Sequence, residues 1–126
     1  MRLLRFFSLL APTLKNLRRK MPDNLCDLWL ENVRLAPDAT AVIDGESGSV
    51  WSRARLQAAA EHWLETQAAG LALARRRVAL AEPNGPGWLA VFIGMLRVGA
   101  IVVPLDPAEP AVARAATAIA AGANWL

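Results

Sequence analysis

Lysine is almost missing from this chain: only Lys15 and Lys20 occur, and both precede Met21. The glycine-bearing stretch GESGS, residues 45–49, is therefore followed by no lysine, which excludes a P-loop and leaves turn chemistry as the role of Gly45 and Gly48. Cysteine and histidine occur once each, as Cys26 and His62. One cysteine permits no internal disulfide and no Cys-based metal site, and it fits a reducing, cytoplasmic setting. Cys26 stands beside Leu25 and Leu28 and reads as a small half-buried thiol, whereas His62, with no second imidazole near it, reads as a surface side chain. Internal repeats and low-complexity linkers are absent too.

Acidic residues are missing from the start of the chain. Arg2, Arg5, Lys15, Arg18, Arg19 and Lys20 all precede Met21 and no Asp or Glu does. Taking those six from the 14 basic residues leaves 8 against 11 acids, so the rest of the chain carries −3. The pI near 10.0 is thus the property of a leader, residues 1–21, and implies no nucleic-acid partner. Arg75, Arg76 and Arg77 form the one later basic cluster and read as a solvated loop. The leader is not a signal peptide: Arg5 interrupts its apolar stretch, Pro12 ends it, and no small-x-small cleavage site follows. Arg18 and Arg19 lack the apolar segment of a twin-arginine signal. Leu3, Phe7, Leu10, Leu14 and Leu17 recur at helical spacing among cations, a pattern suited to weak contact with an anionic membrane surface or to loose docking of the extension on the fold.

No apolar run is long enough and clean enough to span a membrane. GWLAVFIGMLRVGAIVV comes nearest, but Arg97 inside it costs on the order of 2 kcal/mol on insertion scales. Gly99 instead divides it into a helix and a β-branched strand.

What is present is an alternation of elements. Asn24 is an N-cap with Asp27 three positions on, as in a capping box, and Leu25, Leu28, Trp29 and Asn32 share a helical face ended by Pro37. ATAVID and SVW flank the turn and predict a hairpin. Ser52 caps a helix whose stripe is Leu56, Ala59, Ala60, Trp63, Leu64 and Gln67, stopping at Gly70. VALAE, GWLAVFIGMLRVG, AIVVPLD, AEPAVARAATAIAAG and ANWL then read as strand, helix, strand, helix, strand, with the strands apolar on both faces. The predicted fold is α/β: a βαβαβ parallel sheet with flanking helices, preceded by a helix and a β-hairpin.

Gly85, Gly87 and Ala90 satisfy G-x-G-x-x-A after the first of these strands, and Asp106 follows about twenty residues on, the spacing of a dinucleotide site. Pro83 and Pro86 argue against it, since each removes an N–H from a turn that would have to cradle a pyrophosphate.

The segment VALAEPNGPGWLAVFIGMLRVGAIVVPLDPAEP resembles the N-terminal region of the adenylate-forming superfamily: AMP-forming acyl-CoA synthetases, peptide-synthetase adenylation domains and luciferases. Pro83 and Asn84, then Leu96, Arg97, Gly99 and Ala100, then Pro104, Leu105, Asp106 and Pro107 stand in the order of that family's motifs. Upstream, PDATAVID is similar to its Pro-Asp-x-x-Ala strand, and SVWSRARL to its aromatic-to-leucine motif, with Trp51 for the usual Tyr or Phe and Arg55 where Glu is common. The resemblance covers residues 22–126 as a partial N-terminal AMP-binding domain.

It implies, for a complete enzyme, activation of a carboxylic acid with ATP and Mg²⁺ to an acyl-adenylate, then transfer to CoA or a carrier protein. The family's phosphate loop, rich in Ser, Thr and Gly and ending in Pro-Lys-Gly, its later acidic motifs and its C-terminal lysine have no counterpart here. No catalytic, cofactor-binding or metal-binding residue is therefore carried over, and the chain is expected to be an inactive N-terminal fragment or truncated member. Gly99 for close packing, Pro104 to end a strand and Asp106 to bond the next turn are expected to be scaffold. Three strands leave an open edge and apolar surface, so the expected partner is the remainder of the enzyme or a second copy. A non-enzymatic α/β partner-binding module, peripheral to a membrane through its leader, is the alternative, and a dinucleotide-binding module the third.

Overall fold

A computed structural model describes residues 24–125. The leader at residues 1–21, and with it the expectation of membrane-surface contact, lies outside the described residues. The elements in order are α1 (Leu25–Leu35), β1 (Thr40–Ile43), β2 (Val50–Ser52), α2 (Arg53–Thr66), β3 (Arg77–Leu80), α3 (Pro86–Arg97), β4 (Ile101–Pro104), α4 (Ala111–Ala120) and β5 (Asn124–Trp125).

The first helix starts where Asn24 accepts a hydrogen bond from the Asp27 N–H at 2.9 Å. The box is not reciprocal in the expected way, because the Asp27 carboxylate takes the Asn24 side-chain amide and not its backbone N–H. The helix ends at Leu35, two residues before Pro37, and Arg53 Nη1 satisfies the Asn32 carbonyl at 2.9 Å. β1 and β2 form an antiparallel hairpin with a shift in register between Thr40 and Val42. Its turn is held by Asp44, whose carboxylate accepts from the Glu46 N–H and the Ser47 hydroxyl, with Gly48 at φ +71°. Those bonds hold the Asp44 carboxyl below its ordinary range, the Ser47 hydroxyl first.

The sheet is parallel, in the order β4-β3-β5. Val78 pairs with Val102 on one side and with Asn124 on the other. β3 is the central strand and is buried on both faces. Val78 and Leu80 join Met95 of α3 on one face, while Ala79 meets Leu105 and Ala118 of α4 on the other. That is the two-sided burial expected of a strand between two crossover helices. β4 departs from the expectation of an equally covered strand: it is an edge, and Ile101 is 50% exposed.

A second cluster joins α2, α3 and the hairpin. Leu56, Ala60, Ala90 and Ile93 form it, with Trp29, Val42, Trp51 and Leu89 packed around them. The helix α2 ends at Thr66, short of Gly70, and its stripe runs as expected through Leu56, Ala59, Ala60, Trp63 and Leu64, but Gln57 joins it at 7% exposure and Gln67 is exposed. The physical reason is a partner the pattern does not show. Gln57 Oε1 accepts the Trp29 indole N–H at 2.7 Å, and Gln57 Nε2 donates to Glu61 at 3.0 Å. Arg97 of α3 completes the chain on Glu61 at 2.8 Å. The Leu25, Leu28, Trp29 and Asn32 face of α1 is likewise only partly covered: Trp29 packs into the core, whereas Leu25 and Leu28 stay exposed.

Gly99 requires a correction. A Cβ there would meet nothing within 4 Å, so close packing is not its role. Its φ of +75° is, and its N–H returns to the Leu96 carbonyl to close α3 before β4 begins.

Candidate functional site

In parallel α/β sheets, ligands meet the chain at the carboxyl ends of the strands, where loops lead into helix N-termini. Here those ends carry two loops. After β3 come Ala81, Glu82, Pro83, Asn84 and Gly85; after β4 come Leu105, Asp106, Pro107, Ala108, Glu109 and Pro110. Leu105 N–H bonds the Leu80 carbonyl at 2.9 Å and ties the two together.

The second loop is tightly made. Asp106 Oδ1 accepts the Ala108 N–H at 2.8 Å, and the Asp106 carbonyl accepts the Glu109 N–H at 3.2 Å. Arg114, one turn into α4, donates through Nη1 to the carbonyls of Pro107 at 2.7 Å and Glu109 at 2.6 Å. The proline pair thus brackets a turn stapled from below by a guanidinium. Asp106 bonds the turn as the sequence implied, and Pro104 is the last residue of β4.

Beside the first loop is a cleft of about 330 Å³ between β3, α2 and α3, with Trp63, Gln67, Leu80, Glu82, Val91 and Met95 among its walls. Its one formal charge is the Glu82 carboxylate. A carboxylate with no cation among the lining residues repels a polyphosphate. Arg114, at the start of α4, is engaged on loop carbonyls.

The G-x-G-x-x-A residues do not form a dinucleotide cradle. Four residues separate the end of β3 from Gly85, and Pro86 occupies the first turn of α3. The carboxylate of Asp106 is occupied by its own turn. Among the described residues no group of three or more His, Cys, Asp or Glu side chains comes together as a metal site. His62 is exposed. Burial, and then the neighbouring Asp27 carboxylate, push the Cys26 thiol above its ordinary range, the opposite of an activated nucleophile. No helix of the described residues is long and apolar enough to cross a membrane.

Pattern reading missed two positions that set this geometry. Gln57 gave no signal, because a glutamine on a helix is usually solvated. Gly94, within an apolar run, is where α3 leaves room for the Trp63 ring of α2; the only hint was a glycine in mid-helix, which costs stability unless packing needs it.

Comparison with known proteins gives a consistent answer. The family model described as AMP-binding enzyme matches residues 29–126. The hybrid PKS-NRPS synthetase mycA of Thermothelomyces thermophilus is 38% identical over 89 residues, 68% of this chain and 2% of that protein. Pyochelin synthetase PchF of Pseudomonas aeruginosa is 35% identical over 89 residues, 70% of this chain and 5% of that protein. Among solved structures, the N-terminal subdomain of NpsA from Klebsiella oxytoca superposes with a TM-score of 0.73 at 18% identity, over 81% of this chain and 26% of that one. The chain therefore spans a small part of the length of the relatives it matches.

Proposed function

This chain belongs to the AMP-binding enzyme family, and from that premise we propose that it supplies the N-terminal scaffold of an ATP-dependent, AMP-forming ligase. In the complete enzyme a carboxylic acid is joined to AMP with release of pyrophosphate, and the acyl group then passes to a thiol of CoA or of a carrier protein. The observation that carries this proposal is the family match across the βαβαβ unit, with the stapled Pro104–Pro107 turn at the carboxyl end of β4.

The described residues do not fit an ATP–Mg²⁺ site of their own. The cleft beside β3 is anionic, Arg114 beside the β4 loop is engaged on carbonyls, and no lysine occurs after Lys20. What these residues do is structural: they fix the carboxyl ends of two strands as a rigid rim against which phosphate-holding and carboxylate-holding groups from further chain can be seated.

Two measurements test this. In ATP–pyrophosphate exchange over a panel of carboxylic acids, the 126-residue chain is expected to be silent alone and the same chain joined to a phosphate loop and C-terminal domain to be active. Acyl-AMP formation by the chain alone would refute the scaffold role. Sequencing the coding DNA beyond codon 126 is expected to find a Ser/Thr/Gly-rich loop with lysine in some frame. If none exists, the exposed Ile101, Val112 and Ile119 favour a partner-binding module instead.

A further inference from the structure

At the amino ends of β3 and β4, the opposite end of the sheet from the strand-end rim, Arg75, Arg76 and Arg77 stand exposed in consecutive positions. Arg77 Nη1 donates to the Ala121 carbonyl at 3.2 Å, the ordinary service of a cation at a helix carboxyl end. Arg75 and Arg76 do nothing of the kind. Among the described residues neither guanidinium has a hydrogen bond or an ion pair. Their backbones are nevertheless pinned: the Arg76 N–H closes a turn on the Leu73 carbonyl at 2.9 Å, the Arg75 N–H donates to the Gly99 carbonyl at 2.8 Å, and the Arg76 carbonyl accepts from the Ile101 N–H at 2.8 Å.

Arg75 holds the third position of that turn at φ +62°. A left-handed residue there favours glycine, and the other described residues with positive φ, Gly48, Gly70, Gly99 and Gly122, are all glycine. At this one place an arginine takes the steric cost, yet its side chain bonds nothing in the fold. Strain kept for a side chain that the fold does not use points to a use outside the fold.

We propose that Arg75 and Arg76 form a docking point for a carboxylate-rich segment of a partner polypeptide. A guanidinium grips a carboxylate through two parallel N–H donors, and two free ones match a short run of Asp or Glu. A duplex that engages about 6–10 phosphates or a lipid surface that gathers about 4–8 cations needs more charge than this patch offers. Only three arginines cluster, one is engaged on Ala121, and the chain beyond residue 21 is net acidic. Leu71 of the same segment is 48% exposed, a contact that an apolar side chain of a polypeptide can use and a phosphate backbone cannot. The patch is separate from the rim and does not rest on the ligase reading.

The test is titration of the full chain with a capped peptide of Glu and Leu at low salt, followed by backbone-amide NMR. Amide shifts are expected at Arg75, Arg76 and Gly99, and Arg75→Ala/Arg76→Ala is expected to weaken binding there about tenfold, whereas Arg18→Ala/Arg19→Ala leaves those shifts unchanged. Arg75→Gly keeps the turn and separates binding from folding: it is expected to raise the urea midpoint while weakening the peptide. A lowered midpoint would show that the fold itself needs the arginine and would overturn the proposal. Shifts confined to residues 1–21 overturn it as well. Tighter binding at Arg75 and Arg76 of a DNA duplex, or of phosphatidylserine vesicles, than of the peptide would assign the patch to nucleic acid or to a bilayer, and either result overturns the polypeptide partner.

Discussion

Gly94 of α3 lies against the Trp63 ring of α2: a Cβ placed on it would stand 2.7 Å from Cε3, 3.2 Å from Cζ3 and 3.3 Å from the Ala60 carbonyl. Trp63 also packs on the Val78–Met95 cluster, while Ala60 belongs to the Leu56–Ile93 cluster. The contact therefore joins the two cores, and displacing the indole disturbs both. Gly94→Ala is expected to destabilise by about 1–3 kcal/mol, the range for overpacking. Gly87→Ala, in the same helix with open space around it, is expected to be neutral or slightly stabilising. Urea midpoints followed by tryptophan fluorescence distinguish the two.

The Trp29–Gln57 hydrogen bond is a side-chain link between α1 and α2, beside the one from Arg53 to the Asn32 carbonyl. Gln57→Leu leaves an indole N–H without its acceptor and is expected to cost about 1–3 kcal/mol. Trp29→Phe/Gln57→Leu removes both partners, and its cost should be smaller than the sum of the two single changes. A double-mutant cycle showing simple additivity would mean that the bond contributes nothing.

The Glu61 carboxyl is held below its ordinary value by hydrogen bonds from Gln57 and then from Arg97, with burial opposing weakly. A depressed folded-state pKa means stability present above the unfolded value, near 4.5, and lost as pH falls through the lower folded value. The pair is solvent-accessible, so the effect is small. Stability measured from pH 6 down to pH 3 should fall less steeply in Glu61→Gln than in the parent chain; identical slopes would remove Glu61 from the acid response.

Asp106→Ala deletes the acceptor for the Ala108 N–H and is expected to cost about 0.5–2 kcal/mol by analogy with capping side chains, whereas Asp106→Asn keeps the turn. If the carboxylate had a role beyond the turn, Asn would fail as badly as Ala in the joined enzyme's pyrophosphate exchange.

The element order was legible because period and punctuation agree at each step. Pro37, Gly48 and Pro104 stand where a helix, a turn and a strand are interrupted, and Val78 to Leu80 show no polar alternation because helices cover both faces. Boundaries were less legible. The helix ends at Thr66 with Gln67 as its cap, and Gly70, at φ +78°, serves the turn that follows, a difference of a few residues that the glycine signal alone does not resolve.

The candidate site was legible as scaffold and no more. Asp106 beside two prolines announces a turn, yet Arg114, which staples it from seven and five residues away, lies in an alanine-rich helix where a basic side chain reads as solvated. Gly99 stood in a family-like motif but misled as to cause: the glycine serves a positive φ, and the close approach belongs to Gly94.

Hydrophobic period, proline and glycine act over a few residues, so the sequence by itself determined the α/β alternation, the parallel crossovers and the family motifs. It also determined that the later chain has no lysine to hold a phosphate. Which polar side chain is buried, which glycine bears the helix contact and which strand is central are properties of pairs far apart in the chain. Only the tertiary structure decided these, because a buried hydrogen bond or a close approach exists only once both partners have been brought together.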